Sequence, residues 1–149
     1  MTFEEKEILK KENEEKKKYL WQYQEAKRGA ENIEREIAQV RSMKMFPSMH
    51  YDDMPHGNEQ KDLSDYMAAV DKLLSKLVKA RYKRIELHTE ILAKIEALEN
   101  ENEKTVLRLR YIQGFSWEKV CIEMEYEWAQ VHRFHRNALK NIKIKDDTQ

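Results

Sequence analysis

Apolar residues recur at helical spacing along most of the chain, and the first such series lies between Tyr19 and Val40. Its members are separated by intervals of four and three residues, which is the heptad period of a coiled coil. The seam consists of Tyr19, Tyr23, Ala26, Ala30, Ile33, Ile37 and Val40. A Glu- and Lys-rich helix cannot bury so narrow a stripe alone. The pattern therefore predicts a helix over residues 1–45 that packs on another helix of this chain or of a partner.

Residues 1–18, which precede this seam, are mostly Glu and Lys. Their mixed charges predict a solvated helix that frays at its start. The basic residues of this part, such as Lys16 to Lys18, are interleaved with glutamates, so we interpret them as part of a solvated face.

Pro47 and Pro55 bracket a segment that stops the first helix and reverses the chain, which predicts a loop over residues 46–61. This loop is rich in methionine and aromatic residues. They predict either a hydrophobic plug over the end of a helical hairpin or a docking surface for a partner.

A second helical period runs from Leu63 to Leu98 without a proline or a glycine. It comprises Leu63, Tyr66 or Met67, Val70, Leu73 or Leu74, Leu77, Val78, Ile85, His88, Ile91 or Leu92, Ile95 and Leu98. We predict a helix over residues 62–99, roughly 50 Å long at the rise of an α-helix, with His88 as a polar group between helices. The first two helices then form a long antiparallel hairpin in an all-α protein.

The C-terminal part contains short helical periods around a tight turn. Gly114 suits the positive-φ position after a helix, and Ser116 suits the N-cap of the next one. We predict a helix over residues 117–124, a break at Glu125 and Tyr126, and a final helix over residues 128–142. The inner face of the final helix consists of Val131, Phe134 or His135, Ala138, Leu139 and Ile142. This order is typical of a helix-turn-helix, which we predict over residues 100–145.

The final helix is basic on one side. From Val131 to Lys145 the chain carries five Lys or Arg residues and no acid. A one-sided basic helix suits contact with DNA phosphates and base edges, although a merely solvated basic face has the same pattern. The candidate DNA-binding residues are Trp128, Gln130, His132, Arg133, Arg136 and Lys140.

Each candidate has a distinct expected role. Gln130 is early enough in the helix to reach a base edge, and Arg133 suits guanine. Arg136 and Lys140 suit phosphates, and His132 suits a contact in the groove. Trp128 either closes the core of the motif or stacks on sugar and thymine methyl groups.

The stretch from Glu103 to Ile142 resembles region 4 of bacterial sigma factors, through Leu109-Arg110-Tyr111, Gly114, Ser116 and Val131. The whole chain resembles phage-encoded regulators of the ArpU/RinA type, with a central segment from Met54 to Asn58. The resemblance implies a transcriptional regulator of phage genes that binds promoter DNA, with RNA polymerase as a further partner. Glu125 stands where the turn of many helix-turn-helix motifs has Gly. Glu127 stands where the recognition helix usually has a Ser or Thr cap.

Charge and composition narrow the classes of function. The net charge is zero, but nine Lys or Arg stand against five Glu between Glu103 and Lys145, so a basic surface is local. The single cysteine, Cys121, rules out a disulfide within the chain and suits a small buried hydrophobe or a redox group. With no apolar run near the length of a membrane span and no signal peptide pattern, we expect a cytoplasmic protein without membrane contact.

The sequence shows no recognisable catalytic or metal-binding pattern. The histidines lack established ligand spacing, and no glycine-rich phosphate loop or nucleophile motif is present. We therefore expect no enzyme, no metal and no cofactor.

The sequence thus predicts a sequence-specific regulator that binds double-stranded DNA through its C-terminal motif. The N-terminal helices would mediate self-association or contact with the transcription machinery. A phage small terminase subunit combines the same kinds of element and is the main alternative, and a structural coiled-coil adaptor is a third class.

Overall fold

The computed structural model of the chain describes residues 1–44 and 57–145, and all regular structure in these ranges is helical. The elements are α1 (Phe3–Lys44), α2 (Gly57–Glu96), α3 (Glu101–Leu107), α4 (Trp117–Met124) and α5 (Trp128–Asn141). A π-helical turn, Arg108–Ile112, continues α3. The all-α class is confirmed.

The predicted loop over residues 46–61 differs from the structure at its C-terminal end, because α2 already begins at Gly57. The proposed plug or docking role of the loop concerns residues that lie outside the described ranges, as does most of the segment from Met54 to Asn58.

The chain divides into two compact units, and the division differs from the predicted one. The first unit combines Met1–Glu25 with Ile85–Gln149, and the second is Ala26–Arg84. A boundary between residues 99 and 100 was predicted instead. The physical reason is that the start of α1 contacts the C-terminal part: the Gln24 side-chain amide donates to the backbone carbonyls of Tyr111 and Ile112, both at 3.0 Å.

In the second unit α1 packs on α2. Ile37 is buried with Leu73 and Leu77. The Arg81 guanidinium contacts the Glu34 carboxylate at 2.9 Å. Later residues of α1 thus meet earlier residues of α2, so the two segments run antiparallel here.

The first unit holds most of the buried apolar residues. The α1 and α2 segments again run antiparallel, with the Tyr19 hydroxyl donating to Glu90 at 2.6 Å and the Tyr23 ring 5.1 Å from the His88 ring. The core comprises Leu20, Leu87, Ile91, Ile95, Leu98, Val106, Leu107, Tyr111, Ile112, Val120, Val131, Ala138, Leu139 and Ile142.

The apolar seam of α2 was partly misassigned from the sequence. Ile85 is 60% exposed, whereas Leu87 is buried. From Leu77 the buried positions continue through half-buried Ala80 and Arg84. Ala80 is small and Arg84 is charged, so neither marks an apolar face in the sequence. The predicted seam therefore followed the neighbouring stripe, which contains Ile85. Leu63, Met67 and Val78, also placed in the predicted seam, are exposed.

Within the described ranges, no helix combines the length and the apolar character that crossing a membrane requires.

Candidate nucleic-acid interface

The backbone between the π-helical turn and α5 follows the capping chemistry of the sequence. Gly114 has φ 72°, and the Ser116 hydroxyl accepts a hydrogen bond from the backbone N–H of Lys119 at 3.3 Å. After α4 the chain turns at Glu125, which has φ 59° and ψ 37°. Glu127 is the N-cap of α5 and makes no side-chain capping bond. The predicted bounds of α4 are confirmed, and α5 ends one residue before the predicted Ile142.

The inner face of α5 is buried and includes a histidine. Of the two alternatives at this position, His135 is buried and Phe134 is half-buried against the ring of Tyr126 at 5.0 Å. The Tyr111 hydroxyl and His135 Nε2 are 2.8 Å apart. Burial raises the pKa of Tyr111, and burial together with nearby cations, Lys17 first, lowers the pKa of His135 to about 3. Both side chains are therefore neutral near neutral pH, and one donates while the other accepts.

Next to this pair, aromatic rings and a guanidinium stack in series. The Arg110 guanidinium lies 5.1 Å from the Trp21 ring and 4.9 Å from the Trp117 ring. The His132 ring lies 4.6 Å from Trp117 and 4.4 Å from Trp128. The stack connects the start of α1 with the helices of the C-terminal part, and it adds cation–π attraction to apolar packing.

The stack determines where two predicted DNA contacts lie. His132 is held between two tryptophans, and its Nε2 is buried without a hydrogen-bond partner among the described residues. Burial lowers the pKa of His132, as do Arg136, Arg110 and Lys17 in that order. Trp128 contacts His132 and is nevertheless 52% exposed, so it belongs to the stack and also has a solvent-facing surface.

The outer face of α5 brings together the other predicted contacts. Arg133, Arg136 and Lys140 are exposed, and they recur at intervals of three and four residues on one side of the helix. Gln130 is half-buried. Helix α5 contains no acidic residue, so every charged side chain on this face is basic.

A groove of about 700 Å³ separates this basic helix from the start of α1. Its cationic lining consists of Lys6, Lys10, Lys17, Arg133 and Arg136. Sequence reasoning missed the contribution of α1. The available signal was the spacing of Lys6, Lys10, Asn13 and Lys17, which places all four on one side of a helix.

The prediction that Lys16 belongs to a solvated face is wrong. Its Nζ donates to the backbone carbonyl of Leu139 at 2.7 Å, near the end of α5. This carbonyl lies in the last turn of α5, where carbonyls lack helical partners and favour cations. The bond ties α1 to α5.

Metal binding has no support within residues 1–44 and 57–145, where no group of three or more His, Cys, Asp or Glu side chains could hold an ion. Cys121 is a half-buried free thiol.

The geometry defines an all-helical protein with a basic and aromatic surface around one short helix. Residues 43–143, more than half of the chain, match the model of a family described as "Protein of unknown function (DUF1492)", and the chain belongs to this family. The comparison with curated proteins gave no match, and the comparison with solved structures gave none either.

Proposed function

We propose that the chain is a sequence-specific DNA-binding transcriptional regulator, in which α4 and α5 form a helix-turn-helix and α5 enters the major groove. The observation that carries this proposal is the exposed face of α5, where Arg133, Arg136 and Lys140 lie together without an acid. The opposite face of the same helix is buried, so this basic side is held towards solvent.

The local geometry supports a helix-turn-helix. Helix α4 has eight residues, the connection from Glu125 to Glu127 is short, and α5 has fourteen residues. A helix of this length is roughly 20 Å long, enough to lie in a major groove with its first turns on base edges. Gln130 and Arg133 would then contact bases, and Arg136 and Lys140 would contact phosphates.

The regulatory part of the proposal is supported by the resemblance to region 4 of sigma factors. That resemblance rests on the segment from Leu109 to Tyr111 and on Gly114, Ser116 and Val131. In this proposal the DNA target is a promoter, and RNA polymerase is the expected protein partner.

A binding selection followed by titration tests the proposal. Duplexes selected from a random pool by the full chain should share a sequence motif, and fluorescence anisotropy should give an affinity that falls steeply with salt. Arg133→Ala should weaken binding to the selected motif by about 1–3 kcal/mol and relax its sequence preference. Arg136→Ala should weaken binding to all duplexes and lower the salt slope by about one.

Arg28→Ala and Arg41→Ala provide matched controls, because both arginines are exposed on α1 in the other compact unit and each variant removes one positive charge, as Arg133→Ala and Arg136→Ala do. Both controls should bind as the wild type does. A wild-type chain without salt-sensitive DNA affinity would refute the proposal and favour a structural adaptor.

A further inference from the structure

The groove between α1 and α5 concentrates positive charge from two elements. Lys6 and Lys10 come from the first turns of α1, and Arg133 and Arg136 come from α5. All four residues are exposed. Glu14 is the one acid in the described lining, and it is paired with Lys17 at 3.1 Å.

The four outer cations have no ion-pair partner among the residues that the structure describes. Within residues 1–44 and 57–145, the structure shows no ion pair for Lys6, Lys10, Arg133 or Arg136. Like charges that face one groove repel each other and attract a polyanion. Burial is the first cause that lowers the pKa of His132, and Arg136, Arg110 and Lys17 lower it further, in keeping with the positive charge along this groove.

The lysines of α1 are held in place by its packing. The Lys16 ammonium is bonded to the carbonyl of Leu139, and Gln24 is bonded to the carbonyls of Tyr111 and Ile112. Lys6 and Lys10 lie four residues apart on the helical side that faces α5, so they follow the line of the groove. The start of α1 is therefore fixed beside α5 through bonds that leave these two ammonium groups exposed.

We propose that the start of α1 is a second DNA-contacting element, with Lys6 and Lys10 binding the phosphate backbone that flanks the duplex segment read by α5. This inference rests on the proposed function and extends it to a second element. Lysine binds phosphate as a point charge without reading bases. The contribution of α1 is therefore to affinity and to the orientation of the protein on DNA, and sequence preference stays with α5.

The test compares two charge-matched variants of the full chain. Lys6→Gln with Lys10→Gln removes two charges from the groove, and Lys72→Gln with Lys76→Gln removes two exposed lysines from the other compact unit. Anisotropy titrations use the selected duplex and a scrambled duplex over a range of salt concentrations. Circular dichroism verifies that both variants retain the helicity of the wild type.

The groove variant should lose roughly one unit of salt slope per lysine. At about 0.1 M salt this corresponds to a loss of affinity on the order of tenfold to a hundredfold. The loss should be equal for the selected and scrambled duplexes, and the control variant should bind as the wild type does.

The outcomes separate this inference from the proposed function. If the groove variant binds as the control does while Arg133→Ala still relaxes sequence preference, α1 does not contact DNA and only this inference fails. If the wild type binds no duplex, the proposed function fails with it. Unequal losses for the two duplexes would also overturn the assignment of Lys6 and Lys10 to phosphates.

Discussion

Two residues around α4 have a positive φ, and they reach it at different cost. Gly114 has no side chain to oppose it, whereas Glu125 carries a Cβ that makes the left-handed conformation unfavourable by roughly 1 kcal/mol. Glu125 nevertheless closes α4, because its backbone N–H donates to carbonyls in the preceding turn. The conformation that many helix-turn-helix motifs obtain with glycine is thus present here with glutamate.

Replacing Gly114 with alanine should destabilise the protein by about 1–2 kcal/mol, the cost of a left-handed residue with a Cβ. The new Cβ would also lie 2.8 Å from Gln24 Oε1 and displace the amide that binds two backbone carbonyls. Chemical denaturation followed by circular dichroism measures the loss.

Gly29 provides the matched control, since it lies inside α1 and a Cβ there meets nothing within 4 Å. Gly29→Ala should stabilise the helix by about 0.5–1 kcal/mol. If Gly114→Ala were as stable as Gly29→Ala, the positive φ and the Gln24 contact would not matter for stability.

His135 should make folding sensitive to acid. A histidine in the unfolded chain titrates near pH 6.5, and folded His135 has a pKa of about 3. The unfolded chain therefore binds a proton that the folded chain does not, so stability is fully present above about pH 6.5 and falls as pH decreases towards 3. At about pH 5 this residue should lower the free energy of unfolding by about 2 kcal/mol relative to about pH 7.

Denaturant titrations at the two pH values should show a smaller pH effect in His135→Gln than in the wild type. Equal effects would show that His135 does not titrate in this range on unfolding. A nuclear magnetic resonance titration of the wild type provides a direct measurement, because the ring signals of folded His135 should not move over the same pH interval.

At single residues, the sequence predicted correctly those features that depend on backbone conformation. Gly114 and Ser116 were assigned correctly because positive φ and helix capping have strong residue preferences. The environments of the His132 and His135 side chains could not be predicted in this way. A histidine suits a groove, a core or an aromatic stack, and the choice depends on Trp117 and Trp128 as neighbours.

At the scale of elements, the sequence predicted the order of the helices correctly, but it predicted the position of each apolar face less accurately. In α1 the predicted seam included Ala30 and Ile37, which are buried, but it missed Leu20, which is completely buried. The seam was drawn as one continuous stripe over the whole helix. The start of α1 packs in a different compact unit from the rest, so one stripe does not describe both parts.

The basic side of α1 illustrates a second limit. Its charge pattern looks alternating in the sequence, because Glu and Lys follow one another closely from Glu4 to Lys18. On a helix, however, Lys6 and Lys10 lie on one side with Asn13, and the glutamates at 5, 7 and 12 lie elsewhere. This separation of charge matters only because α5 lies beside the lysine side of α1, and the sequence does not show that position.

At the scale of the whole molecule, the two predicted parts do not correspond to the two compact units. The contacts that join residues 1–25 to the C-terminal part are made by single residues such as Lys16, Trp21 and Gln24, in a strongly charged helix. Such contacts between residues far apart in the chain leave no periodic signal in the sequence. A hairpin followed by an independent domain was therefore the simpler interpretation of the pattern, and it did not include the packing of the start of α1 with the C-terminal part.

The compact unit formed by Met1–Glu25 and Ile85–Gln149 makes a prediction about fragments. Residues 85–145 alone should be less helical and less stable than the same residues in the full chain, because Arg110 loses its contact with the Trp21 ring and the Tyr111 and Ile112 carbonyls lose the Gln24 amide. Adding an excess of a peptide of residues 1–25 should restore helicity and raise the melting temperature. Circular dichroism of the mixture, compared with the sum of the separate spectra, measures both effects.

A peptide with Trp21→Ala and Gln24→Ala is the matched control, because it keeps every charge of the helix and removes only the contacts of these two side chains. It should restore much less helicity than the native peptide does. If residues 85–145 alone melted as they do in the full chain, the C-terminal part would be an independent domain and the first compact unit would not be cooperative. If both peptides restored the fragment equally, charge would drive the association instead of the packing of Trp21 and Gln24.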